Sequence, residues 1–320
     1  LFSNSEPDHE ALHGWVGESV PRMALFSRDH SEAVFNRFND LRQTLSAAVI
    51  KAATTQWIPR LSVEQYLSNL PTLVTKRSAL DLAPQFTERP VLILSPGPSL
   101  QRDLETLKAV QHSFITIAPV KSLNSLFDAG VAPDFAIWQD PRDHTYAIPD
   151  RPEIASIPLI LSECCHPAFY SASFKTHFYY PDPTLLSSPT SSLLHGETPP
   201  VLAGTSVSTL ATVLSISLGA NSVTLLGQDL SIAGGHYVGD NEPGQTVEDE
   251  DHVTQGLTCE SIAGGRVPTL PNYFSFIGEF RRIAEAFRDT HQLINCTSDG
   301  AFLEGTSLQE CYEAVASVAH

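Results

Sequence analysis

Apolar residues along this chain change their spacing near residue 90, and the change divides the sequence into two regions. Before it, apolar positions recur at intervals of three and four, as one face of a helix does. Val34, Phe38, Leu41, Leu45 and Val49 share such a face, behind a capping-box pair at Asp29 and Glu32. Ser62 and Gln65 repeat that signal before a shorter helix, so residues 1–85 read as a helical accessory segment with no strand.

After residue 90, short β-rich runs alternate with amphipathic stretches. Val91–Leu94 predicts a buried strand that stops at Ser95-Pro-Gly-Pro98; Ser99 is then a good N-cap for a helix carrying Leu100, Leu104, Leu107 and Val110 on one face. Phe114–Ala118 predicts a strand, followed by a helix through Leu123, Leu126 and Phe127 that ends at Gly130. Further strands are predicted at Phe135–Trp138, Pro158–Ser162 and His177–Tyr180. Gly204-Thr-Ser206 opens a helix with Val207, Leu210, Ala211, Leu214 and Leu218 on its face, closed by Gly219, and Val223–Leu226 predicts the next strand. Residues 231–271 read as a long polar loop, Phe276 to Phe287 as a late helix, and Gln292–Asn295 as a last strand. Such alternation predicts an α/β fold: a Rossmann-like, mostly parallel sheet with helices on both faces, occupying residues 86–320.

Composition narrows the partners. With 320 residues and 42% hydrophobic content, the chain can bury a large core. Its 19 basic and 36 acidic residues leave a net charge of −17, which disfavours nonspecific binding to nucleic acid or to an anionic membrane. No apolar run approaches the roughly 20 residues that span a bilayer. Residues 1–25 lack the pattern of a signal peptide, and the five cysteines show neither a CxxC pair nor an even framework. A cytoplasmic protein with buried thiols is the expectation.

In a doubly wound sheet ligands bind beyond the carboxyl ends of the strands, so the polar residues there are the candidates. Gly97, Pro98 and Ser99 form a tight turn at a helix start, whose free amides suit a phosphate or carboxylate. Gly204, Thr205 and Ser206 offer a second such start, which could equally be a plain cap. Neither is a GxGxxG or a P-loop. Asp140 and Asp229 each follow a strand directly and could hold a hydroxyl, position a proton or ligate Mg²⁺; either could also be a turn former. His236, in a glycine-containing loop, is the natural acid or base and could equally be a solvent-exposed side chain, with His144 and His252 as lesser candidates. Lys121, Arg142 and Arg266 could each meet the anionic end of a ligand, and each could equally be solvated surface.

Taken in order, Val91-Leu-Ile-Leu-Ser-Pro-Gly-Pro-Ser-Leu100, Gly130-Val-Ala-Pro-Asp-Phe-Ala-Ile-Trp-Gln-Asp-Pro141, Gly204-Thr-Ser-Val207, Leu226-Gly-Gln-Asp-Leu230 with Gly235-His236, and Ile294-Asn-Cys-Thr-Ser-Asp-Gly-Ala301 resemble the motility-associated factor (Maf) proteins. That family shares the MptE-like (DUF115) domain with archaeal 6-hydroxymethylpterin diphosphokinases. The resemblance covers about residues 85–305; Ser95-Pro96 stands where the family more often has small residues such as Gly-Ala or Gly-Asn.

The resemblance implies a glycosyltransferase that moves a nonulosonic acid, pseudaminic or legionaminic, from its CMP-activated form to Ser or Thr of flagellin. It implies that Gly97, Pro98, Ser99, Gly204, Thr205 and Ser206 take the nucleotide and phosphate, that Asp140, Gln228 and Asp229 line the reacting crevice, and that His236 matches a family histidine. No cofactor is expected. The alternative from the related branch is an ATP-dependent pterin diphosphokinase, with Asp140 and Asp229 holding Mg²⁺; a third reading is a nucleotide-binding or scaffold protein without catalysis.

Overall fold

A computed structural model of the chain describes residues 60–180, 205–232, 257–297, 299–310 and 313–314. In chain order the strands are β1 Arg77–Ser78, β2 Pro90–Leu94, β3 Ile115–Pro119, β4 Phe135–Trp138, β5 Pro158–Ser162, β6 Thr176–Tyr180, β7 Ser222–Leu226, β8 Thr258–Glu260, β9 Arg266–Pro268, β10 Gln292–Asn295 and β11 Ser307–Leu308. The helices are α1 over residues 60–73, α2 Ala83–Phe86, α3 Pro98–Arg102, α4 Leu104–Val110, α5 Leu123–Asp128, α6 Pro167–Ser171, α7 Val207–Ser217 and α8 Pro271–Phe287. Nine strands of the described residues form one sheet in the order β1-β6-β5-β4-β3-β2-β7-β10-β11. Every pairing in it is parallel.

Alternate residues of each strand feed opposite layers, because successive side chains point to opposite faces of a sheet. Leu92 and Leu94 of β2 join a cluster with Leu100, Leu107, Leu123 and Trp138. Val91 and Ile93 join the other, with Leu210, Leu214, Phe280 and Ile283. Both faces are therefore covered, which is why the central strands read as unbroken apolar runs rather than as alternating ones. The Rossmann-like α/β expectation holds.

Boundaries of the main strands fall within a residue of those expected, and four features differ. The helix after β2 starts at Gly97 as N-cap with Pro98 as its first residue, so Ser99 lies inside it; it then breaks at Asp103, which separates α3 from α4. Ser62 lies within α1 rather than capping it. Residues 257–268 of the expected long loop carry the antiparallel hairpin β8–β9. The segment read as strandless contains β1, which pairs with β6. Short strands such as β1 and β11, two residues each, carry no periodicity to detect. The helix expected after Asp29 lies outside the described residues.

The described part of the N-terminal region is built into the core. Tyr66 and Leu73 of α1 join the first apolar cluster, and Gln65 Nε2 donates to the Pro141 carbonyl at 3.1 Å. Asn69, buried, donates from Nδ2 to the carbonyls of Glu163 at 3.0 Å and Cys165 at 2.8 Å. Asn69→Ala is expected to lower stability by about 1–3 kcal/mol, since two buried carbonyls lose their donor. Chemical denaturation of the variant checks this, and an unchanged midpoint would show those carbonyls to be solvated.

Candidate functional site

The chain lays down β2 to β6 in one direction across the sheet and then returns to place β7 on the other side of β2. Connections leaving β2 and β7 therefore diverge, and a ligand crevice between them is expected at their carboxyl ends. Ser95–Ser99 follows β2 and Gly227–Asp229 follows β7, so two of the expected segments meet at this switch point.

They interlock through the backbone. Ser95 N donates to the Leu226 carbonyl at 2.8 Å, and Gly97 N to the Gly227 carbonyl at 2.9 Å. Neither glycine has room for a side chain. A Cβ on Gly97 would fall 2.6 Å from Asp229 Oδ2, and one on Gly227 would sit 2.9 Å from Leu100 Cβ and closer still to the Ser95 carbonyl. Gly227 also has φ +74°, a backbone state that favours glycine. Above this contact the buried Ser95 hydroxyl lies 2.9 Å from Ser208 Oγ and donates to Gln228 Oε1 at 2.6 Å.

Asp229 is 6% exposed. Its Oδ2 accepts from Ser99 N at 2.8 Å and its Oδ1 from the Ser99 hydroxyl. Burial pushes its carboxyl up to about 6, against the pull of those two hydrogen bonds and of Arg102. At the start of α3, where the amides of Gly97-Pro98-Ser99 are expected to face a ligand anion, the Ser99 amide and hydroxyl are engaged by the chain's own Asp229 carboxylate. Sequence reasoning placed both groups at the crevice, but their separation of 130 residues hid the pairing.

A second clamp comes from the turn after β10, cited above only as a family motif. Gln228 N donates to Thr297 Oγ1 at 3.0 Å, Thr297 N to Asn295 Oδ1 at 3.0 Å, and Ala301 N to the Asp229 carbonyl at 2.7 Å. Gly300, at φ +105°, packs directly on the Asp229 backbone. The Asp299-Gly300 dipeptide was the available signal for a turn, though not for its target.

Ser206 caps α7 in a reciprocal capping box with Thr209. The preceding Thr205 N donates to both carboxylate oxygens of Glu279, at 3.0 and 2.9 Å, and its hydroxyl donates to Glu279 Oε2. Glu279 is buried mid-way along α8. Glu279 was not singled out from the sequence, where an acid beside Phe280 on an otherwise apolar helical face was the available signal. Gly204, His236 and His252 lie outside the described residues.

Two strands from β2, Asp140 follows β4 through Gln139. Arg142 Nε donates to its Oδ1 at 2.9 Å and Nη2 to its Oδ2 at 2.6 Å. Burial pushes the Asp140 carboxyl up, but the Arg142 hydrogen bonds and charge outweigh it and leave the group below the ordinary range. His144 Nε2 stands 3.4 Å from Asp140 Oδ2, and burial lowers that imidazole despite the nearby carboxylate. Cys164, Cys165, Cys259 and Cys296 are buried and form no disulfide among the described residues, and burial pushes Cys259 up to about 11. Arg266 braces the hairpin, donating to Thr258 Oγ1 at 2.8 Å.

The sequence signature described as 6-hydroxymethylpterin diphosphokinase MptE-like matches residues 64–235, more than half of the chain. The chain belongs to the MptE-like family. Among solved structures, the Maf glycosyltransferase from Magnetospirillum magneticum AMB-1 has a similar fold, with a TM-score of 0.59 at 19% identity. That similarity covers 95% of this chain and 47% of the other, so the chain spans about half the length of that protein. No curated protein matches it significantly.

The match of this MptE-like chain takes in β1 to β7 and both loops that interlock at the switch point. The diphosphokinase alternative asks Asp140 and Asp229 to hold Mg²⁺. They do not fit a shared ion: β4 and β7 are three strands apart, about 14 Å by strand spacing, whereas Mg²⁺ needs oxygens at about 2 Å. Each carboxylate is moreover engaged at both oxygens, one by Ser99 and the other by Arg142. No helix among the described residues is long and apolar enough to cross a membrane.

Proposed function

We propose that this MptE-like chain is a cytoplasmic glycosyltransferase that moves a nonulosonic acid from a CMP-activated donor to a Ser or Thr hydroxyl of flagellin. The observation that carries the reading is the interlocked switch point: Ser95–Ser99 and Gly227–Asp229 meet at the carboxyl ends of adjacent parallel strands, in a fold similar to that of a Maf glycosyltransferase. Pterin diphosphokinase chemistry is the second reading, favoured by the description of the matching family.

Transfer joins the acceptor oxygen to the anomeric carbon while the bond from that carbon to the CMP phosphate breaks; the hydroxyl proton leaves to a base. Three tasks follow: neutralising the phosphate, stabilising the oxocarbenium-like centre, and taking the proton. Gly97, Pro98 and Ser99 form one wall of the donor crevice. Ser99 is engaged by Asp229 and Thr205 by Glu279, so the phosphate is assigned to the first-turn amides of the eleven-residue α7 that follow Gly204, Thr205 and Ser206. Gln228 and Asp140 line the crevice, and His236 takes the proton. With both oxygens on Ser99, Asp229 holds the two crevice loops in register and sets a negative charge beside the reacting centre.

Thermal shift with CMP, a CMP-activated nonulosonic acid, ATP and GTP tests binding, since a ligand of the native state alone raises its apparent stability. Stabilisation by the cytidine ligands and transfer to a flagellin acceptor are expected, with His236→Ala losing at least about a hundredfold in rate while still folding. Stabilisation by ATP, with activity abolished by EDTA, would replace this reading by the diphosphokinase. No shift with any nucleotide would leave a scaffold.

A further inference from the structure

We propose that Arg142 reads the carboxylate of the donor's sugar, an assignment that rests on the glycosyltransferase reading and gives Asp140 the task of positioning it. The guanidinium is held before a ligand arrives. Nε donates to Asp140 Oδ1 at 2.9 Å and Oδ2 at 3.2 Å, Nη2 donates to Oδ2 at 2.6 Å, and the Arg142 amide donates to Oδ1 at 2.9 Å. This uses one edge of the fork. The Nη1 hydrogens and the second Nη2 hydrogen remain for a ligand, on a side chain that is 50% exposed. A planar, immobilised guanidinium suits bidentate recognition of a carboxylate and loses little freedom on binding.

Its surroundings fix the loop and leave it receptive to an anion. Trp138 stacks on Phe169 with ring centroids 5.1 Å apart, His144 meets Trp138 edge-on at 6.0 Å, and Tyr146 meets His144 edge-on at 5.4 Å. His144 Nδ1 lies 2.9 Å from the Tyr146 hydroxyl. This row of rings runs from the buried core to Tyr146, which is 55% exposed. Lys121, from the segment after β3, adds positive charge felt at His144. The loop's other acid, Asp143, is turned onto Thr145, accepting from its amide at 3.1 Å and its hydroxyl at 2.8 Å.

Placement separates this group from the phosphate. α7 sits at the switch point through the Ser208–Ser95 contact, whereas β4 lies two strands from β2, about 10 Å along the sheet edge. A sugar nucleotide lying along that edge spans both. In a chain with net charge −17, an anionic sugar needs such a local cation.

The test is titration calorimetry with CMP, a CMP-activated nonulosonic acid and the methyl ester of that donor's carboxylate. Wild type is expected to bind the acid more tightly than the ester, and Arg142→Ala to weaken the acid by about ten- to a hundredfold while leaving CMP and the ester unchanged. Arg142→Lys keeps the charge without the fork and should recover only part of the loss. Asp140→Asn, which releases the fork, should weaken the acid selectively as well. Unchanged CMP binding shows that each variant folds. Equal losses for CMP and donor would give Arg142 to the phosphate, and no discrimination between acid and ester by wild type would remove the assignment; either overturns it. Failure of wild type to bind CMP at all would instead remove the functional reading, and this assignment with it.

Discussion

Asp229→Asn is expected to stabilise the fold at pH 8 by about 1–3 kcal/mol while reducing transfer at least about a hundredfold. Both effects follow from one buried carboxylate. Its folded pKa is raised from 3.8 to about 6 by burial, so between those values the native state binds more protons than the unfolded chain. Stability therefore falls as pH rises from about 4 to 6 and stays low above it. Asparagine removes the buried charge but keeps the geometry: its carboxamide oxygen takes the place of Asp229 Oδ2 and accepts from Ser99 N, while Nδ2 takes the place of Oδ1 and donates to the Ser99 hydroxyl oxygen. A partial offset comes from losing a negative charge at the start of α3. Thermal melts of both proteins from pH 4 to 8, with transfer measured at pH 8, give the comparison. The variant's profile should lose the wild-type decline. A less stable variant at pH 8 would show that the helix terminus outweighs desolvation, and full activity would leave Asp229 a purely architectural residue.

The largest effect on folding is expected at Gly227. Gly227→Ala imposes a left-handed conformation on an L residue and drives its Cβ into the Ser95 carbonyl and to 2.9 Å from Leu100 Cβ. Relief requires parting the ends of β2 and β7, which costs the Ser95–Leu226 and Gly97–Gly227 hydrogen bonds. A loss above about 4 kcal/mol follows, enough to keep the variant from accumulating as folded protein. Gly130→Ala is the control: its φ is +73°, yet nothing lies within 4 Å of the added Cβ, so about 1 kcal/mol is expected. Soluble yield and denaturation midpoints of the pair measure the difference. Similar small losses for both would mean that the switch point yields more readily than its packing implies.

Much of this architecture was legible in the order of apolar runs. Pro158–Ser162 and Phe135–Trp138 appear where their composition places them, since a strand covered on both faces reads as a nearly continuous apolar run. Gly130 and Gly219 mark helix ends through their positive φ, a requirement that is local and therefore readable. Harder to see were β1 and β11, which owe their existence to a neighbouring edge, and the hairpin β8–β9, whose polar residues look like a loop.

At the candidate site the chain declares its polar groups but not their partners. Ser99, Asp229, Thr205 and Asp140 could each be named from strand ends and helix starts, because those positions follow from local periodicity. That Ser99 holds Asp229, that Thr205 holds Glu279, and that α1 reaches Pro141 and Cys165 through Gln65 and Asn69 depended on how strands distant in sequence become neighbours. The physical reason is range: periodicity and capping act over a few residues, whereas desolvation and hydrogen-bond pairing depend on whatever the completed sheet brings within 3 Å. Local pattern was enough to locate an anion-binding helix start, and only packing could show that its anion is a carboxylate of the same chain.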